Sequence, residues 1–165
     1  MNILLVEPYF SGSHKSWAKG FQSFSGHNVE IISLPGKFWK WRMHGGAISL
    51  AKQFMEMDFS PDLILATDML DLTTFLSLTK SRTAQVPNAI YFHENQLSYP
   101  WPASDKNVKG KREHYGFINL SSALAADHVL FNSNYHLESF HNESLQLLKN
   151  YPDHNELDVI EKIKE

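Results

Sequence analysis

Four adjacent polar residues, His93-Glu94-Asn95-Gln96, directly follow the apolar run Ala89-Ile90-Tyr91-Phe92. Polar groups at the end of a buried strand are costly unless they are used, which places this quartet in a cleft. His93 has the side chain to move a proton near neutral pH or to donate a hydrogen bond to a substrate oxygen, and it is the candidate catalytic residue. Glu94, Asn95 and Gln96 carry the donors and acceptors that fix substrate hydroxyls. The opposing reading, a histidine tied to a neighbouring carbonyl, suits a lone histidine better than a run of four polar groups. Next along the chain, Tyr99-Pro100-Trp101-Pro102 supplies either a rigid pocket wall or a packed surface loop.

A second candidate lies in Ser11-Gly12-Ser13-His14, between an apolar run and a helical segment. Free backbone N–H groups and the helix dipole at such a junction favour an anion or a sugar hydroxyl, so Gly12, Ser13 and His14 are candidate substrate contacts. The stretch is neither Gly-x-Gly-x-x-Gly nor a P-loop, and a capped turn without a ligand is the competing reading. Asp68, Asn132 and Ser133 also fall at strand ends. For Asp68, a cap on the following helix is the more economical role. No serine sits in a nucleophile-elbow motif, which disfavours hydrolase chemistry.

Lys37-Phe38-Trp39-Lys40-Trp41-Arg42 interleaves basic and aromatic residues in what reads as an exposed connection. Lys37, Trp39, Lys40, Trp41 and Arg42 have the composition that stacks on bases or sugars while contacting phosphate. Lys106, Lys109, Lys111 and Arg112 form a second basic cluster in a loop expected from His93 to about Lys111. Core tryptophans with merely solvated charges explain the first run equally well. A net charge of −3 gives no global attraction to nucleic acid, so an RNA partner needs such a local patch. Nine histidines raise the question of a metal, but none forms a His-Glu-x-x-His pair or another tight ligand spacing, so they read as scattered and no metal is expected. The absence of cysteine excludes a disulfide framework, a zinc-thiolate site and a cysteine nucleophile, and it fits a reducing, cytoplasmic compartment.

The elements that must position these residues alternate along the chain. Strands are expected at Ile3 to Val6, Val29 to Ile32, Leu63 to Ala66, Ala89 to Phe92 and Val129 to Phe131. Leu63-Ile64-Leu65-Ala66 is apolar at every position, as a parallel strand covered on both faces requires. Between the strands run helical periodicities: Trp17, Phe21 and Phe24; Met43, Ala47, Leu50, Phe54 and Met57; a segment near Leu70 to Thr79; and Tyr115, Ile118, Ser122 and Ala125. A last helix starts near Asn134. Ser11 or Ser13 is expected to cap the first helix, and Gly26 to end it in the left-handed conformation. Five strands alternating with helices predict an α/β fold, a doubly wound, mostly parallel Rossmann-like sheet whose ligands lie beyond the strand carboxyl ends.

With 165 residues, 42% of them hydrophobic, the chain suits one domain over about residues 1–150, followed by a polar edge from 151 to 165 with a weak helical stretch from Leu157 to Ile163. The apolar start stops at Glu7, too short for a signal peptide or a membrane span.

Taken in order, Ile-Leu-Leu-Val-Glu-Pro-Tyr-Phe-Ser-Gly-Ser-His-Lys, Leu-Pro-Gly-Lys-Phe-Trp-Lys-Trp-Arg, Thr-Asp-Met-Leu-Asp-Leu and Tyr-Phe-His-Glu-Asn-Gln-Leu-Ser-Tyr-Pro-Trp resemble one family. It is the N-terminal domain of the glycosyltransferase-like proteins that include tRNA-queuosine α-mannosyltransferase, and the likeness runs from residue 2 to about residue 154. The resemblance implies a family-4-like GT-B enzyme with two Rossmann-like domains facing a cleft, this one on the acceptor side and the other holding the nucleotide sugar. It implies retaining transfer of mannose from GDP-mannose to queuosine in tRNA, with no metal or other cofactor. His93 matches the histidine that contacts the transferred sugar in related enzymes, and Gly12 to His14 match the loop near the donor diphosphate. The nucleotide-sugar domain lies outside these residues, so the resemblance implies that they are inactive alone. A glycan or lipid acceptor, a non-catalytic RNA- or partner-binding module, and a small nucleotide-binding regulator are the rival readings.

Overall fold

A computed structural model describes residues 1–100, 108–152 and 163. Trp101 and Pro102 of the expected wall, Lys106 of the second basic cluster and residues 157–162 of the expected helical stretch lie outside the described residues. Strands β1 (Asn2–Phe10), β2 (Asn28–Pro35), β3 (Leu63–Thr67), β4 (Asn88–Phe92) and β5 (His128–Phe131) alternate with helices α1 (Gly12–Phe24), α2 (Trp39–Glu56), α3 (Leu72–Thr83), α4 (Val108–Ala125) and α5 (Asn134–Leu148). The strands form one sheet in the order β2-β1-β3-β4-β5, every neighbouring pair parallel. The expected α/β Rossmann-like arrangement is thus present. Chain direction reverses between β1 and β3, since β1 leads outward to β2 and β3 leads the other way to β4. At such a switch point the two following loops part and leave a crevice.

The period of two along each strand divides the core. Leu4, Val6, Ile32, Ile64, Ala66, Ile90 and Phe92 face one side with residues of α2, α3, α4 and α5, whereas Ile3, Leu5, Val29, Leu65 and Ala89 face the other with Ala18, Trp17 and Phe21 of α1. Leu63 to Ala66 are buried or nearly so, as their uninterrupted apolar run predicts.

Several local expectations change. Strand β1 continues four residues past Val6 because Glu7 stays inside the sheet and pairs in register with Ser33. Helix α2 begins at Trp39 rather than Met43, after Phe38 in the left-handed conformation (φ 56°). Helix α3 runs from Leu72 to Thr83, two residues later at its start than the apolar pattern suggests, because Asp71 is its cap and accepts from the Thr74 N–H at 3.0 Å. Phe24 is 90% exposed, since α1 buries only the His14 and Ala18 face with Trp17 and Phe21 beside it. Ser11 stands at the N-cap position of α1 but its side chain makes no capping bond, and Ser13 lies inside the first turn. Gly26 follows α1 with φ 70°, as expected. On α4 the buried face is Gly116, Asn119, Leu120, Ser122 and Ala123, a rotation away from the Tyr115, Ile118 and Ala125 side.

The carboxyl end of α2 is closed from outside. Arg82 on α3 donates to the carbonyls of Phe54 at 2.6 Å, Met57 at 2.9 Å and Phe59 at 2.6 Å, with its guanidinium 4.3 Å from the centre of the Phe54 ring. One planar cation thus gathers a carbonyl of the last turn of α2 and two from the chain just beyond it. Replacing Arg82 with Ala should lower the unfolding free energy by about 3 kcal/mol in urea denaturation, because hydrogen bonds to a charged group contribute roughly 1.5–3 kcal/mol each and a helix end is left bare. A loss below about 0.5 kcal/mol would mean that water replaces the guanidinium without cost.

Candidate functional site

The crevice at the switch point is built from the ends of β1, β3 and β4. Glu7 lies on β1 on the same side as Leu5, towards α1, and is fully buried (0% exposed). Its two carboxylate oxygens are both used. Oε1 accepts from the Tyr9 N–H at 2.8 Å, and Oε2 lies 3.1 Å from His14 Nδ1. The first bond coincides with the register shift between Glu7 and Phe10, so the side chain fixes the kink that turns β1 towards α1. Gly12 opens the helix with φ 49°, which a side chain would resist.

His14 and His93 meet across this crevice with ring centroids 4.2 Å apart. Trp17 and Tyr91, stacked at 4.6 Å, support His93 at 4.9 Å and 4.8 Å respectively. The main chain of His93 is clamped on both sides. Its N–H donates to Asp68 Oδ1 at 2.9 Å, and its carbonyl accepts from Asn132 Nδ2 at 2.8 Å. Asp68 therefore serves the β4 loop rather than capping α3, and its own N–H donates to the Tyr91 carbonyl at 3.1 Å. No neighbouring carbonyl takes the ring of His93, whose buried Nε2 has no hydrogen-bond partner among the described residues.

Burial sorts the protonation states. Asp68 is pushed up to about 8 by its complete burial, against the pull of His14 and of the His93 N–H, so its carboxyl holds a proton at neutral pH. His93 is driven down to about 4 by burial and by the neighbouring His14, and is a neutral imidazole. For His14 burial also acts downwards, but the hydrogen bond and charge of Glu7, with Glu94 further off, outweigh it and leave the ring above its ordinary value. Burial raises Glu94. Two touching imidazoles are thus pushed in opposite directions.

A cavity of about 480 Å³ opens in front of this cluster, lined by Gly12, Ser13, His14, Trp39, Lys40, Glu94 and Gln96 with Tyr9, Ser11, Met69 and Tyr99. A neighbouring hollow of about 280 Å³ on the far side of the β4 loop is lined by His93, Asn95, Asn132, Ser133 and His136 among others, and shares Glu94 and Tyr99 with the first. Asn132 and Ser133 thus stand apart from the Gly12 loop. Asn132 holds the His93 carbonyl, and Ser133 caps α5 by accepting from the His136 N–H at 3.2 Å. Asn95 commits its amide to its own turn, accepting from the Leu97 and Ser98 N–H groups at 3.1 and 2.9 Å. Glu94 and Gln96 join at 3.2 Å on the cavity wall.

The basic and aromatic run divides. Trp39 and Lys40 line the cavity from the first turn of α2, with Trp39 against Tyr115 at 5.0 Å. Trp41 is 68% exposed on the outer rim and Lys37 is exposed beside it, so neither tryptophan is a core anchor. Arg42 folds back along the surface, donating from Nε to the Pro35 carbonyl at 3.1 Å. Gly36 brings this run against the β1–α1 loop, because a Cβ there would overlap the Ser11 side chain. Of the second cluster, Lys109, Lys111 and Arg112 stand on the first turns of α4, not in a loop, and Lys109 pairs with Glu113 at 3.8 Å.

Sequence inspection passes over Glu7, Asn119 and Ser122. Asn119 donates to the Asp68 carbonyl and accepts from the Gln96 N–H, both at 2.8 Å, while Ser122 bonds the Leu72 N–H at 3.0 Å and the Leu70 carbonyl at 3.2 Å. These buried groups tie the β3 and β4 loops to α4. Their signal is a polar residue within an otherwise apolar buried face. The histidines are also less scattered than their spacing suggests, since His44 and His114 meet at 3.2 Å as well. Among the described residues, Glu7, His14 and His93 are a trio whose ligating atoms lie within 4.8 Å of one another. Glu7 and His14 already face each other through a hydrogen bond, so a cation would have to displace its proton.

A family model described as tRNA-queuosine alpha-mannosyltransferase N-terminal matches residues 2–165. A curated relative from Drosophila melanogaster, named tRNA-queuosine alpha-mannosyltransferase, is 35% identical over 164 residues, which is 99% of this chain and 42% of the relative. The chain spans less than half the length of that relative. Crevice, loop motifs and both matches agree that the chain belongs to the tRNA-queuosine alpha-mannosyltransferase N-terminal domain family.

Proposed function

We propose that these residues form the acceptor-side wall of a retaining GT-B glycosyltransferase that transfers mannose from GDP-mannose to queuosine in tRNA. The observation that carries this reading is the cavity at the switch point, where His14, bonded to Glu7 at the amino end of α1, touches a neutral His93. In the reaction, the bond from the sugar C1 to the diphosphate oxygen breaks and a bond from C1 to the acceptor hydroxyl oxygen forms. The hydroxyl proton passes to the departing phosphate. The N–H groups at Gly12 and Ser13, with His14, oppose the charge that builds on that phosphate. His93, its main chain fixed by Asp68 and Asn132, offers a hydrogen bond to the sugar, and Glu94 and Gln96 offer acceptors to hydroxyls. The chemistry assigned here needs no resident metal or cofactor, and the nucleotide is held mainly by the partner domain of a GT-B pair. The name of the Drosophila melanogaster relative supplies the sugar, the nucleoside and the tRNA. An acceptor in tRNA also suits a cytoplasmic enzyme, and among the described residues no helix is long and apolar enough to cross a membrane.

The direct test supplies the chain within its complete protein with GDP-mannose and queuosine-containing tRNA, then weighs the nucleoside. A gain of one hexose is expected. An unchanged mass contradicts the reading.

The run from Lys37 to Arg42 has graded roles in holding the tRNA. Trp39→Ala, at the cavity, should raise KM for tRNA with little change in kcat, by roughly the 1–3 kcal/mol that one stacked base contributes. Lys37→Ala should lower the slope of log affinity against log salt by about 0.7–0.9, the signature of one lost phosphate contact. Arg42→Ala should act through stability instead, because its Nε holds the Pro35 carbonyl. Equal effects of Lys37→Ala and Arg42→Ala on the salt slope would overturn this division.

A further inference from the structure

We propose that Glu7 is a positioning residue that divides the work of the two touching imidazoles, holding His14 as the proton-carrying donor to an anionic group in the cavity and leaving His93 as the neutral partner. This deepens the glycosyltransferase reading, and rests on it for the identity of the anion as a diphosphate.

The geometry is specific. A carboxylate in the middle of a parallel sheet is expensive to bury without partners. Glu7 lies one side-chain step beyond Leu5 on the α1 side of β1, and its second oxygen is spent on the Tyr9 N–H, so the carboxylate cannot swing away from His14. The bond from Nδ1 to Glu7 at 3.1 Å fixes the ring orientation and leaves Nε2 as the only ring nitrogen of His14 open to a ligand in the cavity that it lines. A fixed negative partner on Nδ1 favours the doubly protonated ring, in which Nε2 donates. His93, 4.2 Å away by ring centroid, stands inside the field of that cation, and two imidazoles so close do not both hold a charge cheaply.

The other charged groups around His14 act in the same direction or stand off. Glu94 after β4 favours the proton on His14, Asp68 after β3 is itself pushed towards the neutral acid, Lys40 of α2 lines the same cavity, and Lys15 on α1 turns instead to the Phe10 ring at 5.7 Å. Glu7 contributes no atom to the cavity wall, so its effect on a ligand is exerted only through His14.

The test uses the chain labelled with 15N at histidine, with inorganic pyrophosphate as the probe. In the wild type, His14 should keep both ring protons at pH 7, and His93 should stay neutral down to about 4. In Glu7→Gln, which keeps the shape and the acceptor but removes the charge, His14 should titrate at lower pH than in the wild type. His93 should titrate at higher pH, because its cationic neighbour is lost, and pyrophosphate should bind about tenfold more weakly at pH 7, the equivalent of one pKa unit. His14→Gln should move His93 upwards in the same way, and the double variant should lose no more pyrophosphate affinity than His14→Gln alone. A purely structural Glu7 would leave both titrations unmoved in any folded variant. Wild-type titration of His14 in folded Glu7→Gln overturns the proposal. Should that variant not fold, unchanged titration of His93 in His14→Gln overturns it equally. Failure of mannose transfer to tRNA would remove the reaction reading but would leave these titrations and pyrophosphate affinities as they are, so the two failures are distinguishable.

Discussion

A carboxylate buried in β1, an interior strand, is the constraint around which this end of the sheet is organised. Glu7 cannot remain in an apolar layer without donors, and the two that it finds, the Tyr9 N–H and His14 Nδ1, bend β1 and set the first turn of α1. His14 in turn lies against His93, whose main chain is held by Asp68 and Asn132 from the ends of β3 and β5. Asn119 and Ser122 then fasten the β3 and β4 loops to α4. The result is a crevice whose walls come from four different loops but share one hydrogen-bonded frame.

Such a frame is poorly suited to stability alone. A protonated Asp68 and a His14 raised by its carboxylate partner both adjoin a neutral and partly unpartnered His93, although an apolar filling of the same volume would cost less to bury. Differences in charge between neighbouring titratable groups are the usual mark of groups set to different tasks. The crevice also coincides with the topological switch of the sheet, where open α/β sheets bind their ligands.

Much of this was legible in the residues. The unbroken apolar run Leu63 to Ala66 announced a strand covered on both sides, and all the expected strands are present. The quartet after β4 and the Gly12 loop were visible because polar residues followed apolar runs directly. What stayed hidden was any pairing across distance. Glu7 reads as the end of a strand because a carboxylate ends the apolar run, and only the approach of His14 explains why the strand continues. Asn119 was invisible because α4 is rotated so that a polar residue faces inward, a choice made by the loops it must hold and not by helical periodicity. Arg42 and Trp41, adjacent in a run of uniform character, point to different fates because one turn of helix starts between Phe38 and Trp39, set by a left-handed Phe38 that no propensity favours.

The central claim is that the Glu7 and His14 pair is retained for chemistry at a cost to the fold. The measurement that tests it most directly is urea denaturation of the double variant Glu7→Met with His14→Leu, which replaces the pair with apolar side chains of similar volume. A double variant at least as stable as the wild type, beside a Glu7→Met single variant that is less stable, is the result expected when a buried pair does not stabilise its surroundings. A double variant that loses more than about 2 kcal/mol would show that the pair holds the sheet together, and would contradict the account.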